Sequence, residues 1–180
     1  MGGQQTTSPP ISPQENPPNP RVLTDCGHFD IVIQRDGTWL YRGSKIGRLP
    51  LVKLFASVLE CDETGTYWLR TPAERGTVTV EDAPFVAVGL ETRESGREQV
   101  LIFRTNLDDT VEAGPDHPIR LKHDAASGVP VPYIHIRGRL EARLGRAVYY
   151  QLVELGLEEE VEGRTRFGIW SKRTFFLLDD

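Results

Sequence analysis

The chain has 180 residues, is 38% hydrophobic and 26% charged, and sets 21 Lys and Arg against 26 Asp and Glu for a net charge of −5. That acidic balance excludes a nucleic-acid binder acting through a broadly basic face, and the length allows one domain or two small units around a core. Cys26 and Cys61 lack any secretory pattern beside them and read as reduced thiols. No apolar run approaches the roughly 18 residues of a membrane helix, so a cytoplasmic protein is expected.

Residues 1–20 hold six of the thirteen prolines, one charge (Glu15) and one branched aliphatic (Ile11). Such a stretch buries too little surface to offset its ordering entropy, which predicts a disordered arm. Phe29 to Ile33 alternates as a strand, Arg35-Asp36-Gly37 supplies a turn, and Thr38 to Tyr41 returns as its partner. Pro50 can open a helix, and Leu51, Leu54, Phe55, Val58 and Leu59 recur at helical spacing through Glu60, a stripe expected to face a sheet. Tyr67 to Arg70 and Thr77 to Glu81 read as strands. Phe85 to Leu90 and Val100 to Phe103 are apolar on both faces and predict a central antiparallel hairpin. Asn106 to Pro118 is a polar connection with at most a short strand at Thr110 to Glu112, and Ile119 to Lys122 resumes the strand pattern. Tyr133 to Leu140 predicts a strand, and Leu144, Val148, Leu152 and Leu155 stripe a helix with Gly156 as its cap. Phe167 to Trp170 and Thr174 to Leu178 predict closing strands.

The segment from Trp39 to Val80 recurs ninety-five residues later, with Arg42, Gly43 and Arg48 aligned on Arg137, Gly138 and Arg143. An extended run, a helix, an acidic turn and an aromatic strand follow in both copies, as expected of one supersecondary unit used twice. The predicted class is α+β: two similar units of antiparallel strands, each with one main helix, packed around a central antiparallel sheet. The units are placed at residues 21–106 and 107–180.

Catalytic motifs are absent: there is no Gly-x-Ser-x-Gly elbow, no phosphate-cradling loop and no dinucleotide fingerprint. His28, His117, His123 and His135 lack ligand spacing, so no metal or other cofactor is expected. Cys26 and His28 are a thiol and a base two residues apart, more in keeping with an exposed terminal segment than with a nucleophile pair. Arg70-Thr71-Pro72-Ala73-Glu74-Arg75 ends a strand at a proline and presents a hydroxyl, a carboxylate and guanidinium groups; Arg70 or Arg75 could hold an anion, and Glu74 an amine. Internal Arg–Glu pairing is the plainer reading of the same residues. Antiparallel pairing would bring Asp82 and Asn106 to one sheet edge, as ligand groups or as turn chemistry. Period two puts Tyr133, His135, Arg137 and Arg139 on one face of a strand, suited to an anion or to pairing with nearby glutamates.

Arg70-Thr71-Pro72-x-Glu74, Glu81-Asp82-Ala83-Pro84-Phe85, Arg104-Thr105-Asn106, His117-Pro118, Pro132-Tyr133 and Gly168-x-Trp170-Ser171 resemble, in order and spacing, the bacterial domain-of-unknown-function 1285 family over about residues 25 to 180. The resemblance implies an α+β protein of repeated β and helix motifs with a role in signal transduction, and it carries no catalytic residues. Lys172-Arg173 departs from a small, Gly-rich turn at that place. The expected function is a small-ligand or partner-binding module, with an anion-preferring cleft between the units lined by Arg70, Thr71, Glu74, Asp82, Asn106, Tyr133 and Arg137. A small anionic ligand or a protein partner suits these groups, and neither nucleic acid nor membrane is expected. The alternatives are an enzyme using Glu74 or Asp82 as general base, and an interaction scaffold whose Pro-rich arm docks a partner.

Overall fold

The structure is a computed structural model and describes residues 24–124 and 128–179; the arm expected at 1–20 lies outside them. The described residues begin with β1 (Thr24–Ile33), which turns at Gly37 into β2 (Trp39–Tyr41) and β3 (Ser44–Lys45). Gly37 has φ +82°, and Asp36 Oδ1 accepts the Thr38 N–H at 2.8 Å, so the Asp-Gly turn forms for the backbone reason its sequence implies. Then come α1 (Leu49–Ser57), β4 (Leu59–Cys61), β5 (Tyr67–Arg70) and β6 (Glu74–Val80). These strands form a six-stranded sheet in the order β3-β2-β1-β6-β5-β4.

The second half follows the same plan. β7 (Phe85–Arg93), β8 (Val100–Thr105), β9 (Thr110–Glu112), β10 (Ile119–His123), β11 (Pro130–Arg137) and β12 (Leu140–Leu144) make a second six-stranded sheet, ordered β10-β11-β12-β7-β8-β9. After α2 (Arg146–Glu154), the strands β13 (Leu157–Val161), β14 (Arg164–Ser171) and β15 (Thr174–Leu177) form a three-stranded sheet. The run β2-β3-α1-β4-β5-β6 therefore recurs as β11-β12-α2-β13-β14-β15. The aligned Arg-Gly pairs fall at the β2–β3 and β11–β12 turns, where Gly43 and Gly138 have φ +76° and +54°.

The molecule is broadly α+β with little helix, and four features differ from expectation. The two large sheets are mixed, because β1 runs parallel to β6 and β7 parallel to β12. α1 stops at Ser57, since Leu59 to Cys61 leave the helix to pair with β5 at the sheet edge. Tyr133 to Leu140 is not one strand: Gly138 turns the chain, and Leu144 ends β12 rather than opening the helix stripe. Gly156 is not a left-handed cap; a Cβ there would sit 2.4 Å from Phe167 Cζ, so its bareness admits that ring. β7 and β8 do form the expected antiparallel hairpin, with β7 inside the second sheet.

One apolar cluster joins the halves, running from Ile33 and Trp39 through Phe85, Ala87 and Phe103 to Leu152 and Ile169. Each large side chain removed from water there contributes about 1.5–3 kcal/mol. Among the described residues no helix is long and apolar enough to cross a membrane.

Candidate functional site

Beside α1, the first unit leaves a concave pocket of about 390 Å³ lined by Phe29 and Ile31 of β1, Tyr41 of β2, Leu51 and Phe55 of α1, Val58, Leu69 of β5, Thr71 and Glu74. Gly76 makes room for it: a Cβ at that position would lie 2.5 Å from Phe29 Cε2, so only glycine lets the Phe29 ring lie down on β6. The α1 face differs from the expected stripe. Val52 and Ala56 are the buried residues of this helix, while Leu54 is 60% exposed and Leu51 and Phe55 turn to the pocket. The walls are thus apolar and the rim polar at one end.

That end is built at the strand-terminating proline. Thr71 Oγ1 accepts the Glu74 N–H at 3.1 Å and donates to the Glu74 carbonyl at 3.0 Å, so the hydroxyl closes its own turn. Glu74 Oε2 accepts the Cys26 thiol at 3.4 Å, and Oε1 has no hydrogen-bond partner among the described residues. The carboxylate on that thiol holds the Cys26 pKa above its ordinary value, which works against a thiolate nucleophile. His28 points elsewhere, with Nδ1 3.0 Å from Thr77 Oγ1, so the two form no catalytic pair. Arg70 pairs with Glu60 at 3.3 Å, and Arg75 binds Asp25 at 3.0 Å and lies over the Trp68 ring. The two arginines pair with acids outside the cluster, Glu60 and Asp25, and not with Glu74, so the open group at the rim is a carboxylate oxygen.

The remaining expected site residues lie elsewhere. Asp82 accepts the Tyr133 hydroxyl at 2.6 Å on one oxygen and the Arg143 guanidinium at 2.6 Å on the other, with Arg35 at 4.0 Å, so both of its oxygens are engaged. Tyr133 is buried, and its phenol pKa is raised well above its usual value by burial first and by the Asp82 bond second. A bulge between His135 and Arg137 breaks the alternation expected on β11, so Tyr133 does not share a solvated face with Arg137. Asn106 spans the halves instead of meeting Asp82: Oδ1 accepts the Val86 N–H at 3.0 Å and Nδ2 donates to the Gly37 carbonyl at 3.2 Å. Arg137 donates to the Ala56 carbonyl at 2.6 Å, at the C-terminal end of α1, and lies over the Phe85 ring. It separates two junction depressions of about 350 and 490 Å³. Thr71 and Glu74 share one pocket, with Arg70 beside it, whereas Asp82, Asn106, Tyr133 and Arg137 do not join them. No cluster of groups able to hold a metal occurs among the described residues.

The pocket walls were the part hidden in the sequence. The available signal was the breadth of the apolar face on α1: with Val52 and Ala56 facing the sheet, Leu51, Leu54 and Phe55 exceed what a nine-residue helix can bury on one side.

Two similar β-rich units, each with a single short helix, define the class. Residues 16–83 match the model of the "Domain of unknown function (DUF1285), N-terminal domain" and residues 84–178 that of the "Protein of unknown function (DUF1285), C-terminal domain". The chain belongs to the DUF1285 family. It is similar to the crystal structure of a DUF1285 family protein from Silicibacter pomeroyi DSS-3, with 42% identity, TM-score 0.81, and 92% of this chain and 89% of that one covered. A DUF1285 family protein from Shewanella baltica OS155 is similar at 31% identity and TM-score 0.56, over 70% of this chain and 91% of that one. No functionally curated protein matches the chain.

Proposed function

We propose that this protein is a small-ligand-binding module whose ligand lies in the first-unit pocket, its apolar body against Phe29, Phe55, Val58 and Leu69 and a hydrogen-bond-donating or cationic head at Glu74. The observation that carries this reading is a concavity of about 390 Å³ with apolar walls and a half-satisfied carboxylate at one end. Its volume lies within the range of small-molecule sites, which are mostly apolar with few polar groups. A carboxylate rim disfavours an anion, so the ligand preference shifts from anionic to cationic or neutral. Supporting binding over general-base chemistry, Asp82 is committed to Tyr133 and Arg143, and Glu74 is exposed rather than desolvated. A role as a bacterial signalling sensor would use this pocket as its input.

Octylamine and octanoate distinguish the readings in a thermal-unfolding titration. Octylamine at a hundredfold excess over Kd stabilises by about 2.7 kcal/mol, a rise of roughly 5–10 °C in Tm for a chain of this size. Val58→Trp abolishes the rise by filling the pocket, and Glu74→Gln removes the preference for amine over carboxylate. Equal responses of the wild type and Val58→Trp would defeat the assignment of the site.

A further inference from the structure

Charge is spread unevenly along this chain. Residues 117–146 hold six Arg and Lys against two Asp and Glu, although the net charge of the whole is −5. The antiparallel register of β10, β11 and β12 gathers that excess at one end of the second sheet, with Arg120 opposite Tyr133 and His135 opposite Glu141. Directly opposed residues share a sheet face, and the period of two puts Lys122 on the face of Arg120, and His135 on that of Tyr133. On this face lies a polar depression of about 610 Å³ lined by Arg120, Lys122, His135, Gly138, Arg139 and Glu141. It shares no residue with the α1 pocket.

Three of the lining side chains are cationic and one is a carboxylate. Lys122 pairs with Glu141, and its ammonium lies 4.7 Å from the centre of the Tyr133 ring. An ammonium carries three donors, so this pair leaves Lys122 with hydrogen-bonding capacity. Arg139 meets Glu63 at 3.7 Å, but the Glu63 side chain is 91% exposed, so water competes for that contact. The Arg120 guanidinium is exposed and has no partner among the described residues. His135 supplies wall rather than donor, because its ring nitrogens face the Asp116 and Gly138 carbonyls at 3.0 and 2.9 Å. The depression therefore offers two weakly engaged guanidinium forks and an ammonium against one carboxylate that is already paired.

A guanidinium fork matches two oxygens of a phosphate group. Arg120 stands on β10 and Arg139 immediately precedes β12, with β11 between those strands. Neighbouring strands lie about 4.8 Å apart, so the two forks flank the middle strand from opposite sides. A single phosphate reaches one side, whereas two linked phosphates span both. We propose that this end of the second sheet binds a diphosphate group, held by Arg120 and Arg139 with Lys122 as a third cation. Glu141 limits the affinity, since it occupies Lys122 and repels the anion.

The test is titration calorimetry on the full chain at about 0.15 M salt, where distant charges are screened. Pyrophosphate and ADP serve as separate probes for a free and a nucleoside-borne diphosphate. Pyrophosphate is expected to bind about tenfold more tightly than inorganic phosphate. Arg120→Gln and Arg139→Gln each weaken it about tenfold, as loss of a charge-assisted hydrogen bond does. Glu141→Gln tightens it about threefold by removing a like charge. Arg164→Gln removes the same charge from β14 and leaves the titration unchanged, as does Val58→Trp in the α1 pocket. Because Arg120 has no partner to lose, Arg120→Gln melts with the wild type, and a lost signal there is not lost folding. ADP binding tighter than pyrophosphate, with the same losses, upholds the site and puts its diphosphate on a nucleoside. No binding of either probe, or equal weakening by Arg120→Gln and Arg164→Gln, would overturn the site. Tighter binding of hexaglutamate than of either diphosphate would overturn it in favour of an acidic peptide.

Discussion

Asp62 concentrates four hydrogen bonds on one carboxylate: the Thr64 hydroxyl at 2.6 Å, the Thr64 and Thr66 N–H groups at 2.9 and 3.0 Å, and Trp68 Nε1 at 2.8 Å. All four favour the ionised form, so its pKa is strongly depressed, with the Thr64 hydroxyl the largest cause. A carboxyl with a lowered folded-state pKa contributes stability that is present above the ordinary value of about 3.9 and is lost as pH falls through the folded value. Tm should therefore fall below about pH 4, and Asp62→Asn should make that fall shallower, as an acid series of melting curves would reveal. Asp82 and Tyr133 form a different kind of pair. With the phenol pKa raised, Tyr133 keeps its proton and remains a donor into alkaline conditions. Tyr133→Phe is expected to cost about 1–2 kcal/mol in urea unfolding. Combined with Asp82→Asn it should depart from additivity by more than about 0.5 kcal/mol, whereas additive losses would mean the contact contributes nothing of its own.

The closing β14–β15 hairpin turns through Lys172 and Arg173 at φ 47° and 60°, a left-handed pair that glycine and asparagine occupy far more readily. This explains why a small, Gly-rich turn was the expected pattern at that place. Lys172→Asn with Arg173→Gly gives up surface ion pairs to Glu112 and Glu98, worth little each, and relieves strain at two residues. The net expectation is a gain of about 1 kcal/mol, or roughly 2–4 °C in Tm. Gly168 on the same hairpin behaves oppositely. An added Cβ would lie 2.4 Å from the Phe176 carbonyl oxygen, which is backbone and cannot rotate aside, so Gly168→Ala should destabilise by about 1–3 kcal/mol. Elements of this kind were legible where local chemistry decides them, as in the Asp36-Gly37 turn, the Tyr67 to Arg70 strand and the β7–β8 hairpin. The parallel pairs β1–β6 and β7–β12 were not, because partner choice across some fifty residues leaves no periodicity in either strand. The candidate site was half legible for the same reason: Thr71 and Glu74 announce a strand end, while the leucines of α1 read alike whether a sheet or a ligand covers them.

Coupling between the halves depends on the apolar cluster and on polar contacts that cross the join, among them the Lys53–Asp108 ion pair and two latches in which a side chain holds backbone of the other half. Asn106 is held between Val86 of the second sheet and the Gly37 turn of the first, and a Cβ on Gly37 would lie 2.5 Å from Asn106 Nδ2. Arg137 reaches from β11 to the last turn of α1, where its cation meets the negative end of the helix dipole. Asn106→Ala strands a backbone donor and an acceptor, costing about 1–3 kcal/mol for each group left unpaired. Arg137→Ala removes the guanidinium from the Ala56 carbonyl and from the face of the Phe85 ring. Neither latch is part of either unit's own core, so their joint loss should weaken the contact between units more than the units themselves. Trp39 and Trp68 lie in the first unit and Trp170 in the second, so in a Trp170→Phe background fluorescence reports the first unit and its side of the shared cluster while far-UV circular dichroism reports the whole chain. Urea curves from the two probes should coincide with both latches intact and separate in the Asn106→Ala, Arg137→Ala double variant. Coincidence in the double variant would assign the coupling to the shared cluster of Trp39, Phe85 and Phe103, with the latches contributing only stability.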